Sequence, residues 1–199
     1  MRRLGVTVAM LAFMAGCGDS GPTQVPTSQL TFIRAAALAP PLANPADSFW
    51  AKKGENRQIL IWFHAAPGMV DSTKLLEFKV DAQSLYKRPN GTLFATGDSV
   101  LIHVTVSDPV HYVVTFEPAG LQFSSSKPAR LKYEFLEADD DLNSDGVVNA
   151  TDDALKAQLR LYRQEAGSTY WTPVTALIDT TIEECDSDIF GFTNYAMAY

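Results

Sequence analysis

From about Ser48 to the C-terminus, short runs of apolar residues alternate with polar ones and are separated by turn residues. Gln58–Phe63 is a continuous apolar, β-branched and aromatic run. Residues 75–80 alternate, with Leu76, Phe78 and Val80 on one face, and residues 100–106 alternate with Val100, Ile102, Val104 and Val106 inward. Val110, Tyr112, Val114 and Phe116 mark a further strand; Leu131, Tyr133 and Phe135 mark another. Later strands are expected at 159–164, 170–174, 180–186 and 194–199. The breaks between runs carry turn chemistry: 64–71 with Pro67 and Gly68, Pro89-Asn90-Gly91, Ser107-Asp108-Pro109, Pro118-Ala119-Gly120 and Gly167-Ser168. Eight or nine short strands at this spacing predict an all-β fold, an antiparallel β-sandwich. No helix-period stretch of useful length stands outside the N-terminus, and no internal repeat is visible.

The first residues read differently. Arg2 and Arg3 precede an apolar run from Leu4 to Ala15, the layout of a secretory leader. The run is shorter than a membrane-spanning helix needs. It ends in Met14-Ala15-Gly16-Cys17, which resembles a bacterial lipobox with Met where Leu is usual. That resemblance implies cleavage before Cys17, lipidation of Cys17, and a cell-envelope protein held to the membrane by its lipid. Gly18, rather than Asp, follows the cysteine, which implies the outer membrane or cell surface. The expected layout is a leader over 1–16, a lipidated Cys17 with a proline-rich flexible linker over 17–47, and one domain over 48–199.

Charge narrows the partners. With Arg2 and Arg3 removed, 14 basic side chains stand against 23 acidic ones, a net −9. An acidic chain without a basic stripe is unsuited to nucleic acid. A protein or cell-surface partner is expected instead, of a kind the residues do not name. Cys185 would be the lone thiol of the mature domain, so no intrachain disulfide is expected. With no activating base near it in sequence, it is expected to be structural.

The sharpest chemistry lies in DLNSDGVVNATD, residues 141–152. Read as a twelve-residue loop, it puts Asp141, Asn143 and Asp145 at positions 1, 3 and 5, Gly146 at 6, Val147 at 7, Asn149 at 9 and Asp152 at 12. This is the ligand spacing of an EF-hand-type calcium loop. Side-chain oxygens of Asp141, Asn143, Asp145, Asn149 and Asp152, with the Val147 carbonyl, would supply hard ligands to Ca2+. Gly146 would allow the sharp turn, and Val148 would pin the loop to the fold. Asp at position 12 is a shorter arm than the usual Glu, which suits a structural site. Asp, Asn, Ser and Gly also dominate ordinary turns. Eight acids crowd this region: Glu134, Glu137, Asp139, Asp140, Asp141, Asp145, Asp152 and Asp153. Without a cation they are expected to repel one another.

Across residues 75–199, an ordered set of short motifs resembles the bacterial branch of the ZU-five domain family. A valine-alternating strand leads into Phe116-x-Pro118-x-Gly120, then Leu121-x-Phe123, then Tyr133-x-Phe135. A closing Gly191-Phe192-Thr193-x-Tyr195-Ala196 follows. The family's Pro-Ala-Gly-Ala-Leu turn is replaced by Asp81-Ala82-Gln83-Ser84-Leu85. The resemblance implies a β-sandwich used for protein contacts or as a spacer, without catalytic residues, and makes the calcium loop an insertion.

The calcium loop also resembles half of a dockerin, which would imply a partner-binding surface module. A dockerin needs an apolar helix face after the loop, yet Asp153, Lys156 and Arg160 fall where that face should be. One short helical turn at 152–156 followed by a strand is expected instead. Trp50, Trp62 and Trp171 could form a glycan platform, but core or edge positions are the plainer expectation. His103 and His111 fall on the polar phase of their strands. Asp186 and Asp188 read as a solvated face. No H-E-x-x-H, G-x-S-x-G, P-loop or C-x-x-C is present, so no catalytic activity is expected.

Overall fold

The computed structural model describes residues 23–65 and 72–199. The leader, Cys17 and residues 66–71 of the expected 64–71 turn lie outside those residues. In chain order the first strands are β1 (Val25–Pro26), β2 (Ala46–Lys52), β3 (Arg57–Trp62), β4 (Lys74–Val80) and β5 (Leu85–Lys87). Next come β6 (Ser99–Asp108), β7 (Val113–Glu117), β8 (Gln122–Phe123) and β9 (Ala129–Glu134). A helix, α1 (Ala150–Lys156), precedes β10 (Arg160–Gln164), β11 (Tyr170–Val174), β12 (Ala176–Asp179), β13 (Glu184–Ile189) and β14 (Asn194–Ala198).

Among the described residues, two antiparallel sheets pack face to face. One has seven strands in the order β1-β11-β10-β14-β7-β6-β2, and the other five in the order β12-β13-β9-β4-β3. β5 and β8 make a small separate pair. The all-β sandwich expected from the alternation is therefore present. Ile102, Val104 and Val106 of β6 are buried while His103 and Ser107 between and beside them are exposed, as period-two patterning requires. Facing them, Phe78 and Val80 of β4, Leu131 and Tyr133 of β9, and Cys185 and Ile189 of β13 complete the core. Its centre is aromatic. Phe78 lies 5.0 Å from Phe116 and 5.5 Å from Phe192 between ring centroids, and Tyr195 stands edge-on to Phe116 at 5.5 Å.

The expected linker is the largest correction. Thr31 and Tyr199 exchange two backbone hydrogen bonds, each 3.0 Å, and Ile33 N–H donates to Met197 O at 3.1 Å. Ile33 is 1% exposed, and Val25–Pro26 adds an edge strand to β11. Prolines are tolerated there because an edge position leaves their missing N–H unasked for. Among the described residues the domain thus starts near Val25, not at 48, and 48 falls inside β2. β2 buries only Ala51, so it shows no apolar alternation in the sequence.

Three further differences are local. The strand expected at 180–186 begins only at Glu184, as β13, because residues 180–183 form a turn between β12 and β13. The strand expected from Val110 begins at Val113, because residues 109–112 turn and Tyr112 holds φ +51°. The buried Tyr112 hydroxyl donates to Glu137 O at 2.9 Å. The short helical turn expected at 152–156 is α1, which starts earlier because the Asn149 side chain caps it.

Candidate metal site

Residues 141–152 fold on themselves through their own side chains. Asp141 accepts from the backbone N–H of Asp145 at 3.1 Å and of Gly146 at 2.8 Å, one on each carboxylate oxygen. Asn143 Oδ1 also accepts from Asp145 N–H at 2.9 Å, and Asp145 Oδ1 accepts from Val147 N–H at 2.9 Å. Asp152 spans the two ends of the loop. Its oxygens accept from Asn143 N–H at 3.2 Å and Asn149 N–H at 2.9 Å. Short Asx side chains reach main-chain donors a few residues away, and this satisfies a loop too short for a sheet or helix ladder. Gly146, at φ +87°, takes the left-handed turn that bulkier residues resist.

All six expected ligand residues therefore belong to one hydrogen-bonded set. Their donor chemistry suits a hard cation: three carboxylates, two amide oxygens and one carbonyl. The arrangement is not a ready-made acidic cage. Among the described residues no group of three or more His, Cys, Asp or Glu side chains gathers as a metal-holding cluster. Two amides fill the role of local donors instead. Asn143 Nδ2 donates to Asp145 Oδ2 at 3.0 Å, and Asn149 Nδ2 donates to the Val147 carbonyl at 2.8 Å. A cation taking those oxygens must displace both amide donors.

The backbone N–H of Asn149, foremost, and that of Asn143 hold the Asp152 carboxyl below the usual carboxylate range, against an opposing push from burial. Asp152 is the one buried residue of α1. Ala150, Thr151, Asp153 and Ala154 are exposed, so α1 presents no apolar face of the kind a dockerin helix uses.

What ties the loop to the fold differs from expectation. Val148 is 63% exposed and does not pin it. Arg34 and Tyr199 do. Arg34 binds Asp139 Oδ2 through Nε at 3.0 Å and Nη2 at 2.8 Å, Ser144 Oγ at 2.5 Å and the Asp141 carbonyl at 3.1 Å. The Tyr199 hydroxyl donates to the Leu142 carbonyl at 2.5 Å. Both partners lie far away in sequence, and no local spacing announces them.

The crowded acids are likewise answered in part by the protein itself. Lys74 pairs with Glu134 at 2.9 Å, Arg34 with Asp139, and Lys156 with Asp140 at 3.0 Å and with Glu183. Thr73 donates to Glu137 at 2.6 Å. Among the described residues, Asp141, Asp145 and Asp152 make no ion pair. Among the described residues, the acids of this region without an ion pair are thus the loop's own carboxylates, the neighbouring exposed Asp153, and Glu137, whose partner is the uncharged Thr73 hydroxyl.

The remaining candidates are dispersed. Trp171 is buried against Phe32, with ring centroids 5.1 Å apart, Trp62 is half-buried on β3, and Trp50 is 61% exposed on β2. They form no common platform. His103 is exposed as expected, whereas His111 sits in the turn before β7 with Nδ1 2.8 Å from Asp108 Oδ2. Asp186 is not merely solvated: Arg130 reaches it at 2.6 Å. Cys185 is fully buried, and burial, foremost, pushes its thiol up to about 12, which leaves it unreactive at neutral pH.

The motif residues Phe116, Leu121, Phe123, Tyr133, Phe135, Phe192 and Tyr195 all lie in the core. Comparison of the chain with protein-family models, with curated proteins and with solved structures gives no match.

Proposed function

We propose that this is an exported, lipid-anchored, non-catalytic protein of the cell envelope, a binding or structural module with one structural calcium ion in the loop 141–152. The observation that carries the calcium reading is the loop's closed hydrogen-bond circuit. Asp141, Asn143, Asp145, Asn149 and Asp152 fold their oxygens around a turn at Gly146. The Val147 carbonyl joins the same circuit. A cation there offsets carboxylates that have no basic partner among the described residues. It also ties α1 to the strand connection that Arg34 and Tyr199 anchor. Asp at position 12 suits a site that holds shape more than one that switches.

The anchor rests on the lipobox resemblance at Cys17. No helix among the described residues is long and apolar enough to cross a membrane. The absence of catalytic motifs in the sequence supports a non-enzymatic role. The ZU-five resemblance supports protein contact as the use of the sandwich. The dockerin alternative lacks its helix face, since α1 is seven residues long and buries only Asp152.

The test is calorimetric. Chelated protein titrated with calcium should bind one ion, and its melting temperature should rise. Asp145→Ala should lose both effects. An unmoved melting temperature at millimolar calcium sinks the site. Palmitate labelling of wild type against Cys17→Ala tests the anchor, and labelling that persists in the variant rules it out.

A further inference from the structure

At the opposite side of the sandwich from β2, the chain passes from one sheet to the other between β11 and β12, and a cavity of about 710 Å³ opens at that corner. The alternation of β10 brings a charge to its inner side. Leu161 faces the core, Tyr162 joins Trp171 in a second cluster on the outer face, and Arg163 turns inward again. Thr172 of β11 and Tyr195 of β14 are Arg163's partners in register, so the three form one row lining the cavity.

The polar groups of this row are unequally committed. The Tyr195 hydroxyl donates to Gly191 O at 2.7 Å. Arg163 has Glu165 at 3.4 Å, an exposed pair beyond good hydrogen-bond length. Neither the Arg163 guanidinium nor the Thr172 hydroxyl makes a side-chain hydrogen bond among the described residues. On the far wall, Arg130 is taken by Asp186. The guanidinium with open donors is therefore Arg163. The rest of the lining is largely apolar: Val174, Ala176, Leu177 and Phe190. Its size and its apolar wall around a few polar groups are those of small-molecule sites.

We propose that this corner cavity binds an amphipathic monocarboxylate. The acid group lies against Arg163 and Thr172, and an aliphatic or aromatic body lies along Val174, Ala176 and Phe190. A planar carboxylate matches the guanidinium fork in two parallel hydrogen bonds and displaces the loosely held Glu165. Asp188 on the rim repels a second negative charge, so dicarboxylates are disfavoured. The competing account is that Arg163 is an inward charge that guards the open end of the sheet against pairing. The proposal goes beyond the calcium reading and does not depend on it.

The probe is decanoate, titrated by calorimetry into the full chain beside decanol and methyl decanoate. Wild type should bind decanoate roughly tenfold to a hundredfold more tightly than either uncharged analogue, the range of a charged hydrogen bond. Arg163→Met should erase that preference, and Arg163→Lys should keep part of it. Ala176→Phe, which fills the cavity from a half-buried position, should abolish binding of all three. Melting curves check that each variant is folded. Asp145→Ala should bind decanoate as wild type does, which keeps failure of this site distinct from failure of the calcium site. No binding of decanoate, equal binding of acid and alcohol, or unchanged decanoate affinity in Arg163→Met overturns the proposal.

Discussion

The aromatic centre of the sandwich and the loop 141–152 are both closely specified, by opposite physics. In the centre, Phe78, Phe116, Phe192 and Tyr195 are held by removal from water, with ring centroids 5.0–5.5 Å apart. Nothing there depends on an ion. In the loop, Val147 and Val148 stand exposed, and order comes from Asx oxygens answering backbone N–H groups. Each such bond is worth about 1 kcal/mol net, because water competes for both partners. The core is therefore indifferent to solution conditions that the loop should feel: calcium, pH and the loss of a single anchor.

The largest expected effect lies in the centre. Phe116→Ala should cost about 3–5 kcal/mol of unfolding free energy, measured in urea, because a fully buried ring leaves a cavity. Calcium should not restore it beyond the increment it gives wild type, and a larger rescue would break the contrast between the two regions. Next comes the ion. At a hundredfold excess over its dissociation constant, calcium should add about 2.7 kcal/mol to wild type. Asp141→Ala should remove that increment, and a full calcium response in the variant would show that the loop is not where the ion acts.

Acidity should act on the loop in one direction. Asp152 is held below the ordinary carboxylate value in the folded state. Its contribution is present above an unfolded carboxyl pKa of about 3.9 and is lost as pH falls through the lower folded value. Urea midpoints between pH 6 and pH 3 should fall less steeply in Asp152→Asn than in wild type. Parallel profiles would show that the capping carboxylate does not couple the loop to pH. The smallest effect belongs to the far anchor. Tyr199→Phe should cost about 1 kcal/mol by freeing the Leu142 carbonyl, and calcium affinity should drop with it. An unaltered affinity would show that the C-terminus does not position the loop.

What could be read in advance follows from the range of the interactions. Ile102-x-Val104-x-Val106 and Tyr133-x-Phe135 announce strands because inward and outward positions alternate within a few residues. The spacing of Asp141, Asn143, Asp145, Asn149 and Asp152 was legible for the same reason, since they stand within a dozen positions. It announced ligands for a cation and not the hydrogen bonds their side chains make to the loop's own backbone. Ile33 was not legible. Its burial depends on β14, more than 160 residues later, and proline-rich flanks made the segment read as a tether. Val148 shows the opposite case: an apolar residue at the pinning position stands exposed, and Arg34 and Tyr199, distant in sequence, hold the loop.

Sequence alone determined that this chain folds as an all-β sandwich and that residues 141–152 hold a turn at Gly146 flanked by closely spaced Asx oxygens. Both follow from short-range rules: strand periodicity, turn chemistry and the reach of Asx side chains. Tertiary structure alone decided that residues from Val25 belong to the domain and that Lys74, Arg34 and Lys156 pair with Glu134, Asp139 and Asp140. It also decided that Tyr199 holds the loop, and that Arg163 meets Thr172 and Tyr195 at an open corner. Those pairings bring together residues far apart in the chain, and only sheet order and register set which of them become neighbours.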